Sequence, residues 1–225
     1  MFQFLDLSLV KMPIYPEVLS RVQNGAKFLD LGCCLGQEIR QLVLDGAPSA
    51  NTYGSDLYPG FFTVGYDLFS DNSDTLHTTF IAADIFDESS ELVRTLAGKM
   101  DIIYTGAFFH LFNLGEQEKV AERVIQLLTL EKGTMVIGRQ TGSDEPGEFF
   151  RAGDKEKNGR SHYRHSPQTW TDLWDRVGQK TGTKWEVQAD LGGAEYTLAK
   201  PEGKKAEEIE RKMSSEGLRF VVRRV

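Results

Sequence analysis

The stretch that most constrains the fold runs from position 26 to 36 and reads Ala-Lys-Phe-Leu-Asp-Leu-Gly-Cys-Cys-Leu-Gly. Its apolar first half predicts a buried strand with Asp30 at the carboxyl end. Gly32 and Gly36 then allow a tight turn and a close approach of the backbone to a ligand, because glycine has no Cβ. The next residues, 37–45, carry apolar side chains at helical spacing. A strand, a glycine turn and a helix open a Rossmann-like unit, whose ligand lies beyond the carboxyl end of the strand.

The spacing of the glycines bears on the class of ligand. A dinucleotide-binding turn has the pattern G-x-G-x-x-G, and here Cys34 and Gln37 stand at its second and third glycine positions. A pyrophosphate therefore finds less room at this turn. The acidic residue before the first glycine suits a ligand that carries an amine. A plain strand-to-helix turn without a ligand is the alternative that the turn alone leaves open.

Length and composition predict one soluble α/β domain over residues 1–225. The chain is 40% hydrophobic and 26% charged, which is ordinary for a globular protein with a sizeable core. Its net charge of −7 argues against general nucleic-acid binding. The two cysteines are adjacent and form neither a disulfide framework nor a metal site, so we expect a cytoplasmic protein. No signal peptide or membrane-spanning run is visible, and no membrane contact is expected.

Strand and helix patterns alternate along the chain and predict a parallel sheet with helices on both faces. Strands are expected at 26–31, 51–56, 79–86, 100–105, 134–138, 185–190 and 218–225. Helices are expected at 37–45, 59–69, 88–97, 116–130 and from 166 onward, and a solvated helix at 200–212. Residues 1–25 form a predicted helical leader, with helices at 1–11 and 16–23. The polar segment 139–165 is too long for a routine connection and predicts a substrate loop or lid.

Two further predicted strands end in acidic residues. Asp56 closes the second strand, where a carboxylate can accept hydrogen bonds from both ribose hydroxyls of a nucleoside. Asp84 lies among the last residues of the third predicted strand, 79–86, and can bind the amino edge of an adenine, with Ile85 or Phe86 covering the ring. The structural alternatives are a surface turn for Asp56 and a helix cap for Asp84.

The turn at Asp30 has the pattern Asp-x-Gly-x-x-x-Gly, which resembles motif I of the class I S-adenosylmethionine-dependent methyltransferases. Cys34 replaces the commonest middle glycine of that motif. The order of acidic residues at the strand ends and starts also matches the family. They are Asp30, Asp56, Asp84 and Asp101. The resemblance implies a Rossmann-like class I fold, with a mostly parallel seven-stranded sheet whose last strand is antiparallel. It also implies S-adenosylmethionine as the cofactor.

Three stretches sharpen the resemblance, which covers most of the chain. They are 26–37, Asp-Gly-Ala-Pro-Ser at 45–49, and Tyr-Arg-His-Ser-Pro-Gln-Thr-Trp at 163–170 with Gly-Thr-Lys-Trp at 182–185. Together they look like the fungal methyltransferases of meroterpenoid and polyketide-terpenoid pathways. The resemblance implies O-methylation of a carboxylic acid, or of a phenol or hydroxyl, on a small apolar substrate. That family carries a longer N-terminal segment before the leader, and two alternatives stay open here: a lid over the cofactor supplied by a partner chain, or a truncated sequence.

Within this family reading, Asp30 binds the amine end of the donor, Asp56 the ribose and Asp84 the adenine. Backbone groups at Gly32, Cys33 and Gly106 fix the methionine portion. The predicted cofactor-binding set is therefore Asp30, Gly32, Cys33, Gly36, Asp56, Leu57, Asp84, Ile85 and Gly106. No cluster of His, Asp or Glu has the spacing of a metal site, and a metal-free reaction is expected.

His110 is the single catalytic candidate, because it follows the fourth strand where an acceptor should approach. It would act as a base for a phenol and would orient a carboxylate, which is already ionised near neutral pH. The alternative is a histidine packed among neighbouring phenylalanines. The candidate carboxylate ligands are Arg139, Arg160, His162, Arg164 and His165. The candidate walls of an apolar pocket are Phe149, Phe150, Tyr163 and Trp170, of which Trp170 is equally suited to the core.

Two other functions remain open from the sequence. The chain could keep the methyltransferase fold without methyl transfer, as a binding partner or a catalyst of another step. It could also be an NAD-type oxidoreductase, against which the altered glycine pattern counts. The apolar leader is a candidate contact for a homodimer.

Overall fold

A seven-stranded sheet forms the centre of the computed structural model, which describes residues 7–150, 161–192 and 216–225. The strands lie in the order β3-β2-β1-β4-β5-β9-β8. Strands β1 to β5 are parallel, and β9 is inserted antiparallel between β5 and β8. The predicted fold class is thereby confirmed. The bounds are β1 Phe28–Leu31, β2 Thr52–Asp56, β3 Thr79–Ala82, β4 Ile102–Gly106, β5 Met135–Gly142, β8 Trp185–Gly192 and β9 Glu216–Arg224.

Six helices and one hairpin surround the sheet in the described part of the chain. The helices are α1 Tyr15–Gln23, α2 Gln37–Leu44, α3 Gly60–Phe69, α4 Glu91–Leu96, α5 Leu114–Leu127 and α6 Pro167–Thr181. The hairpin consists of β6 Gly147–Phe149 and β7 His162–Arg164. Among these elements and the loops between them, no helix is long and apolar enough to cross a membrane.

Successive side chains of each central strand enter two separate cores, because side chains alternate across a sheet. Phe28 of β1 packs in one core with α1 and α2, and Leu29 packs in the other with α4, α5 and α6. The central strands β1 and β4 are buried on both faces, as expected for a parallel sheet covered by helices. This arrangement leaves the carboxyl ends of β1 to β5 at one edge of the sheet, where the predicted site residues lie.

Local sequence signals fix the ends of the two longest helices. Asn113 and Glu116 form a capping box at the start of α5, and Ser166 and Thr169 form another at the start of α6. These contacts satisfy backbone N–H groups that would lack partners in the first turn. Gly182 ends α6 in the left-handed conformation, which glycine adopts without steric cost.

The structure differs from the sequence prediction in the leader and in the segment 139–165. The leader is helical over Tyr15–Gln23, but residues 7–11 form no helix, and residues 1–6 lie outside the described part. Strand β5 continues to Gly142 because β9 pairs with it along its whole length. The hairpin β6–β7 then occupies much of the predicted loop, whose residues 151–160 are outside the described ranges. The predicted helix at 200–212 also lies outside them.

Candidate active site

The predicted acidic residues meet at one edge of the sheet. Asp30 is in register with Gly54 of β2 and Tyr104 of β4, and Asp56 is in register with Ala82 of β3. Parallel strands in this register bring their carboxyl ends side by side. The edge is also the point of the fold where ligands of open α/β sheets bind.

The glycine turn after β1 has left-handed backbone at three alternate positions. Gly32 has φ 82°, Cys34 has φ 50° and Gly36 has φ 70°. The N–H groups of Gly32 and Cys33 both donate to the carbonyl of Ser55, at 2.8 and 3.0 Å. Cys34 therefore adopts the left-handed conformation that glycine adopts without steric cost.

Asp30 is a buried carboxylate with a free acceptor atom. Its side chain is 2% exposed, and Oδ2 has no hydrogen-bond partner within the described residues. Burial raises the pKa of Asp30 well above its usual range, and the nearby carboxylates of Glu38 and Asp56 raise it further. An ammonium group placed beside Oδ2 would satisfy this atom and favour the ionised form. The residues present thus fit the amine end of a nucleoside-linked amino acid.

Asp56 ties the end of β2 to the glycine turn. Its Oδ2 accepts a hydrogen bond of 2.9 Å from the N–H of Cys34, and its Oδ1 accepts a long one of 3.4 Å from Tyr58. The carboxylate is half-buried and keeps acceptor capacity for a ligand. Leu57 follows it with 52% of its surface exposed, so an apolar side chain stands open beside the carboxylate.

Asp84 lies in the turn that follows β3. Its Oδ1 accepts from the N–H of Phe86 at 2.9 Å, which ends the strand at Ala82 and makes the predicted extension to residue 86 wrong. The helix-cap alternative is also wrong, because α4 begins at Glu91 after Ser90. Ile85 is buried beside it.

The loop after β4 closes over the glycine turn. Gly106 ends the strand, and Ala107 has φ 55°, a left-handed conformation that is uncommon for alanine. The ring of Phe108 then lies on Gly32, where an added Cβ would approach its Cδ2 to 2.6 Å. This contact requires glycine at position 32 and joins the two loops that the sequence assigned to the cofactor. The sequence gives no signal for it, since Phe108 is 76 positions away.

His110 lies in a short 3₁₀ turn, Phe109–Leu111, directly beyond that loop. It is half-buried, and its Nδ1 has no partner in the parts of the chain that are described. Burial lowers the pKa of His110 to about 4, and the positive groups of His162, Arg164 and Arg139 act in the same direction. The imidazole is therefore neutral near pH 7.

Basic residues from two other elements surround His110. Arg139 of β5 lies opposite Gly106 of β4. On the hairpin, the guanidinium of Arg164 lies 4.3 Å from the ring centroid of Phe149, and His162 stacks on the same ring at 6.2 Å. The Nε of Arg164 is buried and has no described partner. The structure thus brings three of the five predicted carboxylate ligands together at one end of the site.

The remaining candidates lie elsewhere. His165 is 1% exposed and its Nδ1 contacts Thr169 Oγ1 at 3.0 Å, so it lies in the core beside the helix start and away from the other basic candidates. Trp170 is fully buried, which confirms the core alternative over the pocket wall. Tyr163 is half-buried against His165, and Phe150 is exposed at the end of the hairpin. Arg160 lies outside the described residues.

A polar network beneath the turn was not predicted from the sequence. Glu38 of α2 is buried and accepts hydrogen bonds from the Ser8 N–H and hydroxyl, both at 2.7 Å, and from the Leu9 N–H at 3.1 Å. Because the Ser8 hydroxyl donates to Glu38, the Tyr104 hydroxyl donates to Ser8, at 2.6 Å. Burial raises the pKa of Glu38. The network joins the leader, α2 and β4 directly beside Asp30.

Acid should destabilise the fold through His165. Burial lowers the pKa of His165 to about 4. Between pH 6.5 and 4 this imidazole is therefore protonated in the unfolded chain and neutral in the folded protein. We expect His165 to reduce the free energy of unfolding by up to about 3 kcal/mol across this window. The measurement is urea unfolding at pH 7 and pH 4.5. Between these two pH values, His165→Asn should lose less free energy of unfolding than the unmodified protein. His77→Asn, at an exposed site, should lose as much as the unmodified protein.

No group of three or more His, Cys, Asp or Glu side chains in the described ranges could hold a metal ion.

No protein-family model matches the chain. Its sequence is 46% identical over 200 residues to O-methyltransferase phiE of Fungal sp. (strain ATCC 74256), which covers 87% of this chain and 64% of that protein. It is 47% identical over 192 residues to Asnovolin E/Chermesin D methyltransferase nvfJ of Aspergillus novofumigatus, covering 83% and 66%. The chain thus spans just under two thirds of the length of these curated relatives.

Solved structures share the fold at low sequence identity. An S-adenosylmethionine-dependent methyltransferase from Mesorhizobium loti matches with a TM-score of 0.59 and 17% identity, covering 96% of this chain and all of that one. The [4+2]-cyclase SpnF matches with a TM-score of 0.60 and 12% identity, covering 92% and 79%. Because a cyclase stands among the neighbours, likeness of fold alone does not identify a reaction.

Proposed function

Since this chain has the class I methyltransferase fold and is a sequence relative of fungal methyltransferases, we propose that it is an S-adenosylmethionine-dependent O-methyltransferase of secondary metabolism. The observation that carries the proposal is the buried Asp30 carboxylate, with its unpartnered Oδ2 at the end of β1 next to the left-handed turn. A cationic amino group is the ligand that best satisfies such an atom. The donor of these enzymes carries one.

Each end of the donor has residues in this chain that fit it. Asp30 would bind the amine, the backbone of Gly32, Cys33 and Gly106 the rest of the methionine portion, and Asp56 the ribose hydroxyls. The adenine would lie beside Leu57, Asp84 and Ile85. Gly36 would complete the glycine turn. When bound, S-adenosylmethionine supplies a methyl group on a sulfonium that is its own leaving group. The chain then has to hold and align the acceptor.

We propose a carboxylic acid as the acceptor. Arg139 and Arg164 place positive charge around His110, and guanidinium groups bind carboxylates in a bidentate fashion. A carboxylic acid is already ionised near pH 7 and needs no base. His110, with a pKa of about 4, is a weak base for a phenol but can donate a hydrogen bond to a carboxylate oxygen. Phe149 adds an apolar surface beside these cations, as a terpenoid or polyketide body requires.

The setting of the reaction follows from the same features. The thiols of Cys33 and Cys34 are free, which fits a reducing compartment such as the cytoplasm. We expect no membrane or nucleic-acid partner, and a homodimer through the leader stays a prediction.

The test combines binding with product analysis. Isothermal titration with S-adenosylhomocysteine should give micromolar affinity, and titration with NAD should give no heat. Methyl transfer from labelled S-adenosylmethionine to apolar carboxylic acids should then yield a product whose label is released by alkali, as an ester requires. Binding of NAD in place of S-adenosylhomocysteine would support the oxidoreductase. If S-adenosylhomocysteine binds but none of the acceptors becomes labelled, the result would support a methyltransferase fold that is used for another step.

Arg164→Gln should impair the acceptor and spare the donor. We expect the KM for a carboxylic acid acceptor to rise by about tenfold to 100-fold, because a charged hydrogen bond contributes about 1.5–3 kcal/mol. The affinity for S-adenosylhomocysteine should stay within twofold. Steady-state kinetics with each substrate varied in turn separates the two effects. A rise in KM for the donor alone would contradict a role for Arg164 in binding the acceptor.

A further inference from the structure

Arg40 of α2 lies beneath the glycine turn and contacts its carbonyl groups. Its Nη1 donates to the carbonyl oxygens of Leu35 at 2.6 Å and Gly36 at 3.3 Å. Its Nε and Nη2 donate to the two carboxylate oxygens of Asp71, at 2.7 and 2.8 Å. The side chain is only 10% exposed. One guanidinium thus joins the turn to the segment that follows α3.

Aromatic rings hold this guanidinium in place. Its central carbon lies 4.7 Å from the ring centroid of Phe69, 5.5 Å from Tyr66 and 5.9 Å from Phe80. A planar guanidinium between an ion pair and aromatic faces has little freedom to rotate. An ion pair taken out of water contributes little net stability, because desolvation offsets the attraction. The arrangement is therefore better suited to fixing geometry than to stabilising the fold.

The turn is held from two further sides. On its N–H side, Cys34 donates to Asp56 Oδ2. On the α3 side, Gly65 packs so closely that an added Cβ would lie 2.5 Å from the Leu35 carbonyl oxygen. Arg40 binds that same oxygen from α2. The Leu35 carbonyl is therefore the point at which α2, α3 and the turn meet.

We propose that Arg40 is a positioning residue for the donor, acting through the carbonyls of Leu35 and Gly36. It would hold the turn in the conformation that receives the methionine portion, and Asp71 would orient its guanidinium. This inference rests on the proposed methyltransferase function. It assigns Arg40 no contact with the donor or with the acceptor.

The test measures donor affinity and fold stability separately in Arg40→Met and Arg40→Lys. Arg40→Met should weaken binding of S-adenosylhomocysteine by tenfold or more and raise the KM for S-adenosylmethionine similarly, with kcat at saturating donor within about twofold. Arg40→Lys should have an intermediate affinity, because an ammonium reaches one of the partners but not all. Arg219→Met is the matched control, since Arg219 also pairs with an aspartate, Asp190, but lies exposed on β9.

The outcomes distinguish positioning from structure. A folded Arg40→Met with affinity within twofold of the unmodified protein would overturn the proposal, as would a lowered Tm with unchanged affinity. If Arg40→Met does not fold, Arg40→Lys decides by the same two measurements. Failure of the unmodified protein to bind S-adenosylhomocysteine would instead reject the methyltransferase function on which the proposal rests.

Discussion

Asp56→Ala is expected to weaken binding of S-adenosylhomocysteine by at least about 100-fold. The carboxylate would lose two hydrogen bonds to the ribose hydroxyls, each about 1.5–3 kcal/mol for a charged acceptor. It would also release the N–H of Cys34, which Asp56 Oδ2 holds at 2.9 Å in the glycine turn. The substitution would therefore remove the proposed ligand contact and loosen the turn that is proposed to receive the methionine portion. Isothermal titration measures the loss directly.

Two variants separate the contributions of Asp56. Asp56→Asn retains one acceptor oxygen and should lose less affinity than Asp56→Ala. Asp74→Ala, at an exposed aspartate remote from the strand ends, should bind as the unmodified protein does. The Tm without ligand should change little in all three, because Asp56 is half-buried at the carboxyl end of β2 and its side chain holds only loop N–H groups. Unchanged affinity in Asp56→Ala would mean that the ligand of this edge is not a nucleoside.

The fold could be predicted because each of its main elements has a local signal. The run from Phe28 to Leu31 is apolar and short, the turn has glycines at 32 and 36, and apolar residues on α2 recur at helical spacing. These signals depend on neighbouring residues only. The acidic residues at strand ends could also be placed, because parallel strands bring their carboxyl ends together whatever connects them.

The sequence could not show contacts between residues that are distant along the chain. Glu38 accepts hydrogen bonds from Ser8, 30 positions earlier, and Arg40 pairs with Asp71, 31 positions later. Seen within α2 alone, Glu38 and Arg40 are polar residues of an ordinary amphipathic helix. In the same way, the extension of β5 to Gly142 depends on its pairing with β9, more than 70 positions away. Only the folded chain reveals these partners.

At the predicted acceptor end, the structure separates one basic candidate from the others. Arg139, His162 and Arg164 do approach His110. His165, two positions after Tyr163, instead lies in the core. A basic residue near a helix start has the same local sequence whether it points to a ligand or into the core. The burial of His165 follows from Trp170 and Tyr163, whose rings pack against it.

Trp170→Ala should give the largest loss of stability, because Trp170 joins the core to the 3₁₀ turn that carries His110. It is fully buried, and its ring lies 4.5 Å from that of Phe220 and 5.0 Å from that of Phe109, centroid to centroid. Removing a buried tryptophan costs about 3–5 kcal/mol, which should lower the Tm by about 10 °C for a chain of this length. Thermal unfolding followed by circular dichroism measures the shift.

The functional effect of Trp170→Ala should be confined to the acceptor. Phe109 starts the 3₁₀ turn that carries His110, so a cavity at Trp170 loosens that turn and leaves the glycine turn after β1 intact. We expect the KM for a carboxylic acid to rise while the affinity for S-adenosylhomocysteine stays within about twofold, measured below the transition. Trp170→Phe keeps most of the apolar contact and should lose less than half as much stability. Equal losses of donor and acceptor binding in a folded Trp170→Ala would show that the two ends of the site are not held by separate parts of the core.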